Sequence, residues 1–160
     1  GVQTWAPPIC SAIGPLVEST SRKTILVHLG QDKSAVALRD ALIVIFAALP
    51  PEMRRTLTWD QGKEMSAHLE LARTAEIGVY FCEKSRPWQR PTNENTNGLI
   101  RQYVPKRSDI SKVTHQNLQL IMHRLNHRTR ECLQFKTPTQ VFFTQGIKTC
   151  TWNMNSILPI

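Results

Sequence analysis

Acidic residues are scarce in this chain: 12 Asp and Glu stand against 20 Lys and Arg, and no carboxylate precedes Glu18. The resulting net charge of +8 and isoelectric point near 9.7 argue for a polyanionic partner, nucleic acid first and an anionic membrane surface second. Cysteine is also sparse. Cys10, Cys82, Cys132 and Cys150 are widely separated, with no CxxC pair, which fits the reduced thiols of a cytoplasmic protein better than a disulfide framework or a zinc site. Long apolar runs are missing: the longest, residues 41–49, is too short to cross a bilayer and is closed by Pro50 and Pro51, so no membrane span is expected. No basic segment followed by an apolar stretch opens the chain, so no secretory signal is expected, and Gly1 in place of methionine is expected of a trimmed start. A glycine-rich phosphate loop, an internal repeat and a local signature of nucleophilic catalysis are absent as well.

What is present is enough for one folded domain: 160 residues, of which 41% are apolar and 20% charged. The positive charge is local. Residues 1–83 carry eight bases and nine acids, residues 84–136 carry eleven bases and three acids, and the remainder adds only Lys148. One stretch therefore holds the whole excess.

Residues 11–20 and 24–29 are β-branched, apolar runs separated by Ser21, Arg22 and Lys23, a pattern that predicts a hairpin. Pro15, which has no N–H for a ladder, implies an edge, a bulge or damage to that strand. Leu38, Leu42, Ile45 and Leu49 recur at helical spacing behind Ser34 as N-cap, with Pro50 as the stop. Residues 56–59 and 79–82 read as short strands, with a helix over residues 63–74 between them. A helix over residues 92–104 is expected to be capped by Thr92 and ended by Pro105. Another covers residues 114–130, with Leu118, Ile121, Met122 and Leu125 inward, and a short one follows over residues 138–143. Strands alternating with helices predict an α/β fold, and in such sheets functional groups gather beyond the strand carboxyl ends. Asp60 and the loop after Cys82 occupy those positions.

Asp60 and Glu94 are set among small or polar residues, TWDQG and TNENTNG, instead of on an amphipathic charged face. Two carboxylates so placed can converge on a divalent cation, because magnesium takes oxygen ligands and completes its shell with phosphate oxygens. Glu94, Asn97, Gly98 and Arg101 fall at i, i+3, i+4 and i+7 and share one helix face. There Gly98 leaves room for a phosphate backbone and Arg101 can hold it. His123 and His127, at i and i+4, form a weaker metal candidate with no third ligand at suitable spacing.

The segments LTWDQGKEM (57–65), VYFCEKSRPWQRPTNENTNGLIRQYVPK (79–106) and LNHRTRECLQFKTPTQVF (125–142) resemble the catalytic core of bacterial insertion-sequence transposases of the IS-thirty type, within the wider group of DDE transposases and retroviral integrases. The resemblance runs from about residue 11 to residue 143. It implies a ribonuclease-H-like integrase core, a mixed sheet flanked by helices, and Mg2+- or Mn2+-dependent DNA cleavage and strand transfer in transposition. Asp60 matches the second family aspartate, Glu94 the family glutamate, and Arg101 the basic residue seven positions later. By this resemblance Asp60 and Glu94 are both catalytic and metal-binding.

Two departures accompany the match. The family's first aspartate, on its first strand, falls opposite Val2 here, and the family's N-terminal helix-turn-helix region has no counterpart in these residues. Asp32 and Asp40 are poor substitutes, since one precedes a helix and the other lies within it. The expectation is a core over residues 1–145 with a degenerate first strand, a loose C-terminal tail over residues 146–160, and a chain inactive in cleavage. DNA contacts are expected from Trp88, Gln89, Arg90, Asn97, Arg101, Lys106 and Arg107, with Trp88 serving as a base-stacking surface or a buried anchor. Expected partners are DNA, as transposon ends and target, and further copies of the chain or a full-length transposase. The alternative is a non-catalytic remnant that binds DNA or oligomerises.

Overall fold

The expected hairpin forms from Ile13–Glu18 (β1) and Thr24–His28 (β2), paired antiparallel with Ile13 opposite His28 and Val17 opposite Thr24. The computed structural model describes residues 13–30, 32, 34–59, 66–82, 91–105, 113–145 and 151–154, and for Glu52, residues 91–94, Gln145 and residues 151–154 the backbone alone. Glu18 is fully buried and organises the turn. Its carboxylate accepts hydrogen bonds from the Thr20 N–H (3.0 Å), the Ser21 N–H (2.6 Å) and the Ser21 hydroxyl (2.6 Å), while Arg22 takes a left-handed φ of 63°. A buried carboxylate is tolerated when hydrogen bonds replace its lost hydration.

Three further strands complete the sheet: Thr56–Trp59 (β3), Gly78–Phe81 (β4) and Thr151–Met154 (β5). The order is β2-β1-β5-β3-β4. The last described strand therefore lies in the middle of the sheet, antiparallel to β1 and parallel to β3. This differs from a loose tail over residues 146–160, and it fills the central row that a degenerate first strand would leave open. Pro15 is consequently not on an edge. The Leu26 N–H opposite it bonds outward to Met122 Sδ (3.1 Å), so Pro15 and Leu26 form a pair that exchanges no ladder bonds. On the other side of β1, the pairing with β5 starts at Leu16. The missing N–H of Pro15 thus falls where neither described neighbour asks for it.

Helices cover both faces. Ala35–Ala47 (α1) starts at Ser34, whose hydroxyl accepts from the Ala37 N–H (3.1 Å), and stops before Pro50. It packs against His68–Ala75 (α2) and the core of Leu16, Val27, Leu57 and Trp59. On the opposite face lie Pro91–Ile100 (α3) and His115–His127 (α4), with Ile100, Val104, Leu118, Ile121 and Leu125 against Ile13 and Leu26. Thr114 caps α4 through the Asn117 N–H (3.2 Å). Pro138–Gln145 (α5) begins with a reciprocal box: Thr137 Oγ1 accepts from the Gln140 N–H (3.2 Å), and Gln140 Oε1 from the Thr137 N–H (2.9 Å).

Several boundaries differ from expectation. Thr92 does not cap α3, because the helix starts at Pro91, the first-turn position where a missing N–H costs nothing. The same helix ends at Ile100, with a turn over residues 101–104. In the helix expected over residues 63–74, the described portion forms only from His68, and Glu76 closes it in a left-handed conformation with φ 53°. The outer edge of β2 is covered by Asn126 of α4, whose amide donates to the Thr24 carbonyl and accepts from the Thr24 N–H, both at 2.8 Å. A buried side-chain amide so placed does for the edge what another strand would do.

Candidate active site and nucleic-acid interface

Strands β3 and β4 are parallel, with Trp59 opposite Phe81, so both carboxyl ends lie at one end of the sheet. Met154 of β5 pairs with Trp59 on one side and with Leu16 of β1 on the other, and Ile13 extends three residues further toward that same end. Ile100, the last residue of α3, packs with Ile13. The topology therefore brings α3 to the sheet end where β3 runs into Asp60. Leu57 and Trp59 are buried in the core under α1 and α2, so Thr56 and Thr58 alternate onto the face that α3 and α4 cover.

On α3 the backbone is helical through Glu94 and Asn97, and the Arg101 N–H still bonds to the Asn97 carbonyl (3.0 Å). The i, i+3, i+4, i+7 spacing of Glu94, Asn97, Gly98 and Arg101 is thus realised on one helical stretch. Thr96 and Ile100 are buried and anchor the helix, whereas Gly98 is exposed, with no atom within 4 Å of the position that a Cβ would take. Packing does not require a glycine there. Asn97 is half-buried, and its Oδ1 is shielded from solvent with no hydrogen-bond partner. An unpaired buried acceptor one turn from Glu94 is costly unless something else occupies its lone pairs. Arg101 is half-buried beyond it. Asp60, Trp88, Gln89, Arg90, Lys106 and Arg107 lie outside the described residues, as does the side chain of Glu94.

A Gly98→Ala substitution separates folding from binding at this face. It should stabilise the helix by about 1 kcal/mol, since glycine is a poor helix former and the added methyl meets open space. The thermal midpoint should rise, while affinity for duplex DNA should fall if a phosphate backbone approaches at Gly98.

Other acids are engaged elsewhere. Glu18 stands at the far end of β1, opposite Trp152, with its oxygens bonded in the hairpin turn. Asp32 accepts from the Ser34 N–H (2.8 Å) at the start of α1, Asp40 pairs with Arg39 (2.7 Å), and Glu70 pairs with the same arginine. Arg39 is accordingly raised above the ordinary guanidinium pKa, chiefly by its hydrogen bond to Asp40. His123 and His127 stack on α4 with ring centroids 4.0 Å apart, and His127 Nδ1 bonds the His123 carbonyl (2.9 Å). Among the described residues no three metal-ligating side chains converge.

Sequence comparison places this geometry. Residues 7–87, just over half of the chain, match the Integrase core domain. The chain belongs to the integrase core domain family. The chain is 47% identical over 131 residues to the transposase InsI of insertion sequence element IS30A from Escherichia coli, covering 82% of this chain and 34% of that one. It is 44% identical over 131 residues to the transposase of insertion sequence element IS1086 from Cupriavidus metallidurans, covering 82% of this chain and 38% of the relative. The chain thus spans little more than a third of the length of these curated relatives, and the IS-thirty resemblance holds. Among solved structures, the simian T-cell lymphotropic virus intasome in complex with PP2A regulatory subunit B56 gamma matches with a TM-score of 0.67 and 17% identity, over 88% of this chain and 51% of that one. The fold is the ribonuclease-H-like integrase core, a mixed sheet flanked by helices.

Integrase cores as a family work with divalent cations, and the donors available to this one suit them. Carboxylate and amide oxygens are hard ligands of the kind that magnesium and manganese take, and the unpaired Asn97 Oδ1 adds an oxygen on the Glu94 face. No helix among the described residues is long and apolar enough to cross a membrane.

Proposed function

We propose that this integrase core belongs to an insertion-sequence transposase, that it holds DNA along α3, and that Asp60 and Glu94 bind Mg2+ or Mn2+ there. The observation that supports the reading is the packing of α3 on β1, where Ile100 meets Ile13 toward the end of the sheet at which the parallel strands β3 and β4 terminate. When bound, the cation supplies charge neutralisation at a phosphodiester and lowers the pKa of a water or 3′-hydroxyl nucleophile. The chain's own residues position the reactants. Asp60 and Glu94 fix the cation from two elements, Arg101 neutralises a flanking phosphate, and exposed Gly98 lets the backbone come close. Trp88, Gln89, Arg90, Lys106 and Arg107 extend the contact along the strand, and transposon ends, target DNA and further copies of the chain are the partners.

Residues 1–145 make up the bulk of the unit, and we include β5 with it. Glu18, Asp32 and Asp40 are engaged elsewhere, so Asp60 and Glu94 are the two family carboxylates that we assign to the site, with no third assigned among the described residues. Cleavage by this chain should therefore stay near background even though DNA binds. A supercoiled plasmid incubated with Mn2+ tests this directly: the chain and its Asp60→Ala and Glu94→Ala variants should nick equally little. Robust nicking by the unaltered chain, lost in both variants, would show two carboxylates to be sufficient and would overturn the inactivity.

A further inference from the structure

A second basic site lies beside α3, apart from the Glu94 face. Arg130 follows α4 and is buried, only 9% exposed. One of its terminal nitrogens, Nη2, bonds the Leu125 carbonyl in the last turn of α4 (3.4 Å), but its Nε is buried with no partner. Burial lowers its pKa first; the Cys132 side chain opposes this, and Arg128 and Arg22 add to the lowering. No carboxylate pairs with it among the described residues. The structure thus holds a desolvated guanidinium in the field of two like charges, an arrangement that a bound anion would relieve.

The surroundings are built and open. Arg130 lines a cleft of about 290 Å³ together with Asn95 and Leu99 of α3, Arg128, Glu131 and Cys132. The loop that carries it is rigidly closed: the Arg130 N–H bonds the Lys136 carbonyl (3.1 Å), and the Arg130 carbonyl accepts from the Leu133 (3.0 Å) and Phe135 (2.9 Å) N–H groups. Arg128 is exposed at the rim, and Asn95 adjoins Glu94 in the chain. Glu131 is the one acid among the lining residues, Arg128 and Arg130 are its bases, and Arg22 adds a further positive charge felt by Arg130.

We propose that this cleft is a phosphate site that receives a backbone phosphate of the bound DNA on the flank of α3 adjoining the Glu94 face, with Arg130 and Arg128 as its donors. A planar, always charged guanidinium fork suits a phosphate oxygen pair. The inference rests on the DNA-binding reading above and adds a contact outside the residues named there. A strand crossing the amino-terminal half of α3 would meet the cation at Glu94 and the guanidiniums past Asn95.

The test is anisotropy of a labelled duplex titrated with the full chain in EDTA, repeated across salt concentrations. Arg128→Ala changes an exposed side chain and should leave the fold intact. It should weaken binding about fivefold and lower the slope of log affinity against log salt by roughly 0.9, one phosphate contact. Glu131→Gln should tighten binding about threefold, as expected for removing one exposed opposing charge. Arg130→Lys, which keeps the charge but loses the fork, should bind more weakly than the unaltered chain. In NMR, the Arg130 Nε–H resonance should shift on adding DNA. Unchanged affinity and slope in both Arg128→Ala and Glu131→Gln, while the unaltered chain binds, would overturn the cleft and leave the function reading standing. An unaltered chain that fails to bind DNA would sink the function reading instead. An Arg130 shift with inorganic phosphate alone, and none with DNA, would move the site to a free anion and overturn the DNA assignment.

Discussion

Removing residues 146–160 should unfold the chain. These residues contain β5, which pairs with β1 at three positions and with β3 at four, and among the described residues no other strand joins the hairpin to the parallel pair. Without it, β1, buried at all six of its positions, and β3 would each face a row of unpaired N–H and C=O groups toward an empty slot. Net contributions of about 1 kcal/mol per ladder bond, plus lost burial, put the effect on the order of 5 kcal/mol, comparable with the whole stability of a small domain. A point variant makes the same case without shortening the chain. Asn153→Pro removes a ladder N–H from an interior strand and should cost about 3 kcal/mol or more. Thermal melts followed by far-ultraviolet circular dichroism check both. A truncated chain with an unchanged midpoint would show that β5 contributes nothing to the sheet, whereas a lost transition together with aggregation is the expected result.

That strand is the least legible part of the sequence. Residues 151–154 are too few to show a period, and their place is set by partners more than 90 positions away, Thr56–Trp59 in β3 and Leu16, Val17 and Glu18 in β1. Local signals, in contrast, are readable wherever the physics is local. Ser34 and Thr114 cap the helices they precede because a hydroxyl and an N–H three residues on need nothing else. Thr92 misleads for an equally local reason: Pro91 already satisfies the first turn, so the helix begins one residue earlier. Pro15 points to an edge because sequence alone does not say which side of a strand an N–H faces.

The site divides along the same line. The helical spacing of Glu94, Asn97, Gly98 and Arg101 follows from the chain and is realised in α3. The unpaired oxygen of Asn97 and the buried guanidinium of Arg130 have no sequence signal, because burial is a tertiary property. For Arg130 the only hint is the RTR run in the third family segment, which reads as solvated charge until α4 and the loop to Lys136 enclose it.

Neutralising either carboxylate should sharply weaken divalent-cation binding at the α3 face. In the proposed site each of the two carboxylates is half of the charged donor set, and Asp60→Asn or Glu94→Gln leaves a single charge to offset dehydration of the ion. Binding should weaken by at least about tenfold in each variant, since Mg2+ and Mn2+ sites depend on carboxylate charge. The double variant should differ little from either single one, because residues that act as a unit are non-additive. The fold should be unaffected, so melts of the variants in EDTA should match that of the unaltered chain.

The most direct measurement is a titration of Mn2+ into the full chain, with free ion followed by electron paramagnetic resonance, alongside Asp60→Asn and Glu94→Gln. One ion bound by the unaltered chain, and a loss of at least about tenfold in affinity in each variant, is the result that two carboxylates converging at the carboxyl end of β3 predict. Equal binding by all three proteins, or none by the unaltered chain, would contradict a cation site built from Asp60 and Glu94.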